Sequence, residues 1–290
     1  MKTIFLTSLA LIAFAANSIL CRLALGTEVI DATGFTVIRL VTGALVLWVI
    51  LTIRPSKQTP ADEPLDQTNR RGSWFAGIML FVYAATFSFA YVSMDTGTGA
   101  LILFGAVQLT MILVSLIRGQ RLLWVEWLGV LVAFCGFVYL VLPGLGTPSM
   151  IGFVLMSLSG VAWGFYTLNG QGSTHPLNDT AHNFLRALPM AAVLLLFLFS
   201  QLQITTQGII LAMLSGGIAS GLGYTIWYSV LGNLSSTQAA VLQLLVPVIA
   251  ALGGIIFMAE VMTYRLALSG AMILGGILLV VLGKARLSRG

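Results

Sequence analysis

The sequence predicts an all-α integral membrane protein, with ten transmembrane helices in two inverted five-helix repeats. Three observations carry that expectation. Hydrophobic residues make up 58% of the chain and charged residues only 8%, against roughly 25% charged in soluble domains, so lipid must cover most of the surface. Apolar runs long enough to cross a bilayer core, which takes about 20 helical residues, recur ten times. Segments of the first half find matches, in the same order, in the second.

The first run, near 3–24, opens as MKTIFLTSLALIAFAANSILCRLAL. A lysine ahead of an apolar stretch containing AFA has the look of a cleavable secretory signal. The run continues past AFA to Leu25, and Leu20 stands before Cys21 where a lipid-modified signal has a small residue. The stretch is therefore expected to remain as the first transmembrane helix, with Asn17 a buried amide inside it.

The second run (34–53) carries Arg39. The segment after it, RPSKQTPADEPLDQTNRRG, is charged and proline-rich and reads as a loop. In the third run (73–94), Tyr83, Phe87 and Tyr91 recur every four residues, as a packing stripe or as one wall of a cavity. The fourth run (98–117) holds Gln108, and the fifth (123–142) holds Cys135. The sixth (150–170) contains Trp163, Tyr166 and Asn169, with Gly160 and Gly164 spaced for close helix packing. Arg186 lies in the seventh (180–200), and Gly217 and Gly221 repeat the glycine spacing in the eighth (207–230). The ninth (236–258) has Gln238, Gln243 and a mid-helix Pro247, and ends just before Glu260; the tenth covers 265–284. The breaks carry turn chemistry, as in GTEVIDATG, PGLGTPS and HPLND. DTGTGA lacks the third glycine of a dinucleotide loop and lies between spans, so nucleotide binding is rejected.

The net charge of +5 does not point to nucleic acid, because the basic residues sit in short segments between apolar runs. With the N-terminus cytoplasmic, ten Lys and Arg residues fall in cytoplasmic segments, while only Arg22 and Arg265 fall opposite. That bias sets the orientation, with both termini cytoplasmic in a multi-pass cell-membrane protein (an inner membrane, if the source is bacterial). Trp48, Trp74, Trp124, Trp127 and Trp227 fall near cytoplasmic helix ends, where amphipathic rings sit comfortably. Cys21 and Cys135 read as small buried hydrophobes. His175, Asp179 and His182 share one loop, where Asp179 as a helix N-cap is preferred to a metal site. No cofactor or metal is expected.

The repeat is carried by three matches. FTVIRLVTGALVLWVI aligns with HNFLRALPMAAVLLLF, pairing Arg39 with Arg186. GQRLLWVEWLGVLVAFCGF aligns with AEVMTYRLALSGAMILGGI, pairing Gln120 with Glu260 and Gly136 with Gly276. AFAANS lies opposite GVAWGF, setting Asn17 against Trp163. An odd number of helices per repeat makes the second half enter the membrane upside down, a common transporter plan. The domains are thus 1–148 and 149–290.

FAANSILCRLAL, the Arg39 segment FTVIRL and LSSTQAAVLQLLVPVIAALGGIIFMAE, with its central proline and terminal glutamate, resemble the EamA-type transporters of the drug/metabolite transporter superfamily. The likeness covers essentially the whole chain. The first half departs from it, with Val107 where the proline would fall and Gln120 where the glutamate would. The resemblance implies a secondary transporter, an exporter of small metabolites or amino-acid-like solutes working by alternating access around a midplane cavity. The alternative is a channel or a non-transporting scaffold. The partners expected are a small-molecule solute and the lipid bilayer.

Site candidates follow from what lipid cannot satisfy. Asn17, Gln108, Trp163, Tyr166 and Gln243 are polar or amphipathic groups within spans, and are expected either to touch solute or to bond between helices. Arg39 and Arg186 sit about six residues into their helices, roughly 9 Å at 1.5 Å per residue. That depth allows either a functional buried cation or a side chain that snorkels to the headgroups. Glu28 and Asp31 are candidate partners of Arg39. Pro247 is expected to kink its helix, and Glu260 to cap the next helix or pair with an arginine. An enzyme would need a reactive cluster at depth, and the spans contain none.

Overall fold

The computed structural model describes residues 2–53, 72–119, 123–142, 148–170, 173, 175–231 and 242–287. Helices α1 (Lys2–Gly26), α2 (Ala32–Ile53), α3 (Trp74–Tyr91), α4 (Thr96–Ile117) and α5 (Trp124–Val141) form the first half. The second half has α6 (Met150–Gly170) and α7 (Pro176–Leu198), which a 3-10 turn extends through Phe199–Gln201. A continuous rod follows, made of α8 (Thr206–Met213), a π-helical segment Leu214–Leu222 and α9 (Gly223–Leu231). Helices α10 (Leu245–Met258) and α11 (Tyr264–Leu287) complete it. Eight of these stretches are long and apolar enough to cross a membrane, the rod through Trp227 being one; α5 and α10 are shorter apolar helices. Among the described residues, extended pairing is confined to one antiparallel bridge between Ile30 and Ile204.

The helices pack as cross-half pairs. α5 lies along α11, α2 along α7, and α4 along α10. α6 packs on α3 and α4, while α1 packs on the rod and α10. α7 touches α3, and α2 touches the rod. Exchanging α1–α5 for α6, α7, the rod, α10 and α11 turns this set of principal contacts into itself. Small residues permit the closest approaches. A Cβ on Gly276 would press on the Gly129 carbonyl and lie 2.7 Å from the Ala133 amide, so the α5 and α11 backbones meet directly. One on Gly160 would press on the Leu103 carbonyl, and one on Gly164 on Thr110, which explains the glycine spacing of α6. Large apolar side chains such as Leu45, Phe134, Phe197 and Ile256 point outward, as lipid contact requires.

Two clasps join the halves at opposite ends of α7. Beyond its C-terminus, the Asp31 amide donates to the Gln203 carbonyl at 2.9 Å, and the Thr205 amide to the Val29 carbonyl at 3.1 Å. Asp31 adds a carboxylate: Oδ1 accepts the Thr33 and Gly34 amides at 2.9 Å, capping α2, and Oδ2 accepts the Gln203 amide at 3.0 Å. In the first two turns of α7, Asp179 accepts the Gly72 amide at 2.9 Å and Asn183 accepts the Ser73 amide at 3.0 Å. Asn169 donates to the Ser73 hydroxyl at 3.2 Å, and the Ser173 hydroxyl donates to Asp179.

Several sequence expectations are corrected here. Asp31 is committed to the backbone of α2 and of the α7–α8 turn, and Glu28 lies exposed in the α1–α2 turn, so neither partners Arg39. The N-cap of α7 is His175; Asp179 stands in the first turn and serves the clasp. Cys21 is buried but Cys135 is exposed on the outer face of α5. Trp48, Trp74, Trp124 and Trp127 are exposed, whereas Trp227 packs inside against Phe14 at 5.7 Å. Pro247 is the third residue of α10, rather than mid-helix. It has no N–H for the Gln243 carbonyl four residues earlier, and the helical path is interrupted at Leu244.

Candidate functional site

Helical spacing sets three faces around one central cavity. α1 contributes Phe14, Asn17 and Ser18, which lie at i, i+3 and i+4 on one stripe. α3 contributes Tyr83 and Phe87, one turn apart. Leu103 and Phe104 of α4, Trp163 of α6 and Tyr224 of α9 close the wall. The cavity has a volume of about 10 Å³, room for roughly one water. A larger solute enters only if the walls move.

The wall is an aromatic box. The ring of Trp163 lies 4.7 Å from Tyr83, 5.0 Å from Tyr224 and 6.5 Å from Phe14, centroid to centroid. Tyr166, one turn along α6, stacks on Trp163 at 5.2 Å from behind. Offset and edge-on contacts of this kind suit the aromatic quadrupole and hold the indole in one orientation.

A polar chain runs along one side of the box. Arg39 Nη2 donates to the Tyr83 hydroxyl at 2.7 Å, and Asn17 Nδ2 donates to the same oxygen at 3.2 Å. Ser215 donates to Asn17 Oδ1, and Arg39 Nε reaches the Ser220 hydroxyl at 3.4 Å. Ser215 and Ser220 are five residues apart. On an α-helix they would point about 140° away from each other; the i→i+5 bonding of a π-helix stacks them on one side. The winding of Leu214–Leu222 therefore lets one segment hold both Asn17 and Arg39.

The remaining candidates are dispersed. Gln108 is buried in α4, one turn beyond Phe104, and Gln243 is buried just ahead of α10; neither lines the cavity. Arg186 is half-buried, its guanidinium 5.8 Å from the Trp74 ring at the start of α3. The two arginines aligned by the repeat thus occupy different depths. Glu260 caps α4, not the helix after it: its carboxylate takes the Thr96 amide at 2.8 and 3.0 Å and the Thr96 hydroxyl at 2.8 Å. It also lies 3.8 Å from Arg22 Nε. Gln120 and Gln238 lie outside the described residues. Phe14, Tyr224, Ser215 and Ser220 belong to the site without having been expected there. For the serines, the only signal was their place in the small-residue run SGGIASG. Among the described residues, no three His, Cys, Asp or Glu side chains gather as metal ligands would.

A profile of the EamA-like transporter family matches residues 1–142 and, a second time, residues 150–282. The chain belongs to the EamA-like transporter family. It is thereby a multi-pass membrane protein of the drug/metabolite transporter superfamily. An uncharacterized protein of Pseudomonas aeruginosa is 50% identical over 287 residues, covering 98% of this chain and 97% of its own. An uncharacterized transporter of Archaeoglobus fulgidus is 26% identical over 209 residues, covering 69% of this chain and 73% of its own. A crystal structure with 19% identity superposes with a TM-score of 0.64 over 97% of this chain and 98% of its own, a likeness of fold. The EamA-like match to each half covers Asn17 and Arg39 in one copy, and Trp163, Tyr166 and Tyr224 in the other.

Proposed function

We propose that this EamA-like protein is a secondary transporter, exporting small metabolites or amino-acid-like solutes by alternating access around the central cavity. The observation that carries the reading is a small aromatic cavity between the halves, with a cross-half clasp toward each end of the bundle. Opening the Asp31–Gln203 clasp alone, or the Asp179–Gly72 clasp alone, gives the cavity two separate routes. The hydrogen bonds in both are few and partly exposed, worth about 1 kcal/mol each, so neither end is locked.

The architecture in this reading is ten spans in two inverted repeats, 1–148 and 149–290. The two family matches and the exchange symmetry of the helix contacts support it. Both termini are cytoplasmic, as the lysine and arginine bias supports; the Asp179 clasp then faces the cytoplasm and the Asp31 clasp the opposite side. Export as the direction rests on the family resemblance.

The test is counterflow in proteoliposomes holding the purified chain, with a panel of labelled amino acids and organic acids. Saturable exchange of at least one solute is expected. Ionic conductance without saturation would move the reading to a channel, and no exchange with any solute in the panel would move it to a scaffold.

A further inference from the structure

Arg39 is out of place as a structural residue. Its side chain is 2% exposed, and a guanidinium offers five N–H donors. Nη2 makes one short bond, to Tyr83, and Nε makes a long one to Ser220. Nη1 has no hydrogen-bond partner among the described residues. The rest of the charge lies against the rings of Tyr83 and Phe87, 5.0 and 4.9 Å from their centroids. Among the described residues, no carboxylate forms an ion pair with it; both ion pairs belong to Arg22.

Arg22 is the internal control. Its Nη1 and Nη2 bond the Tyr91 and Val92 carbonyls at 3.2 Å and the Asp95 carboxylate at 3.5 Å. Its Nε, like Arg39 Nη1, has no hydrogen-bond partner among the described residues, but it stands 3.8 Å from the Glu260 carboxylate. That is how this bundle satisfies an arginine it uses as a strut. Arg39 is buried more deeply and satisfied less. An uncompensated cation inside a membrane protein is costly, and two cation–π contacts offset only part of that cost.

Among the described residues the complement of this cation is missing, and a solute could supply it. We infer that Arg39 is the headgroup subsite for a solute bearing a single carboxylate, whose apolar or aromatic body occupies the box formed by Phe14, Tyr83, Trp163 and Tyr224. This rests on the central cavity being the solute site. Tyr83 and Phe87 both line the cavity and cover the cation, so the carboxylate gains access by displacing the Tyr83 hydroxyl. It then takes Nη1 and Nη2 together in the bidentate geometry that guanidinium favours. Asn17 Nδ2, released from the same hydroxyl, becomes a further donor. Among the described residues the cavity wall contains no carboxylate, so a solute whose only charge is an ammonium meets Arg39 with nothing there to neutralise either cation.

The test uses three compounds that share one body: 3-phenylpropionate, 3-phenylpropionamide and 3-phenylpropylamine. Their binding to the full chain in detergent is measured by titration calorimetry, for the wild type, R39K and R39Q. The carboxylate should bind at least about 10-fold tighter than the amide, and the amine should not bind. R39Q should bring the carboxylate down to the level of the amide, with R39K between. Equal binding of carboxylate and amide, a preference for the amine, binding of none of the three, or an undiminished carboxylate preference in R39Q overturns the assignment. The wild-type series decides the matter even where R39Q does not fold. Counterflow with the same compounds separates the two readings. Exchange of the amide or amine without carboxylate preference overturns the headgroup subsite and leaves transport standing. Carboxylate-selective binding without any exchange does the reverse.

Discussion

The Asp31 clasp can be loosened by one substitution whose effect is traceable to named bonds. In Asp31→Ala the carboxylate is lost. Its bonds to Thr33 and Gly34 cap α2 and persist whether the clasp is open or shut, so their loss lowers overall stability by about 1 kcal/mol without biasing the opening. Only the bond from the Gln203 amide to Oδ2, 3.0 Å and exposed, exists in the closed arrangement alone. Its loss favours opening by about 1 kcal/mol, or roughly five-fold in population. The backbone bonds Asp31–Gln203 and Thr205–Val29 remain, so the clasp weakens without vanishing. Cys21 is a natural reporter: it is fully buried in α1, one turn beyond Asn17 toward this end, and Cys135 is removed as Cys135→Ser. Alkylation of Cys21 by a small maleimide should accelerate about five-fold in Asp31→Ala, and Asp31→Asn should fall between it and the wild type. An unchanged rate would refute the argument that this contact holds the end shut. So would an equal acceleration from Thr33→Pro, which removes one of the two cap bonds and leaves the Gln203 contact in place.

Three further outcomes follow from the packing and the site. Gly276→Ala should destabilise the chain by about 1–3 kcal/mol, because the Cβ meets the α5 backbone. Gly275→Ala, with open space around its Cβ, should be neutral or stabilising by up to ~1 kcal/mol; thermal unfolding in detergent compares the two. Glu260→Ala removes three bonds to Thr96 and should cost about 2 kcal/mol in the same assay, with Glu260→Gln costing less. Trp163→Ala removes the centre of the aromatic box and should weaken the half-saturation of counterflow about 10-fold, and loss of stability without a change in half-saturation would remove Trp163 from the solute wall.

The positions of the spans were legible because lipid demands long apolar helices, and nearly every stretch read as a span is helical where it is described. Asn17 and Trp163 were legible as groups that must turn inward, because an amide and an indole at mid-span need partners, and both line the cavity. Their partners were not legible. Tyr83 appeared only as one member of a four-residue stripe, and nothing in a repeat of period four says which of its rings faces a cavity. Ser215 and Ser220 stood at a spacing that no α-helical pattern brings to one face; only the π winding does so. Asp31 looked like the counter-ion of Arg39 because it is near in sequence. The α2 amides and the Gln203 amide compete for it at closer range. Glu260 capped a helix as expected, but one 164 residues away in the chain, and spacing along the sequence carries no information on such a neighbour.

The unequal fate of the two aligned arginines has an electrical consequence. Arg186 stands beside Trp74 at the start of α3, while Arg39 carries its charge buried among the rings of Tyr83 and Phe87. Moving one elementary charge through the whole potential is worth about 2.3 kcal/mol per 100 mV. If α2 carries Arg39 through a tenth of that field between two conformations, their balance shifts by about 0.2 kcal/mol per 100 mV. A carboxylate bound to Arg39 would move with it and cancel that sensitivity. The empty protein would then feel the membrane voltage, and the loaded one would not.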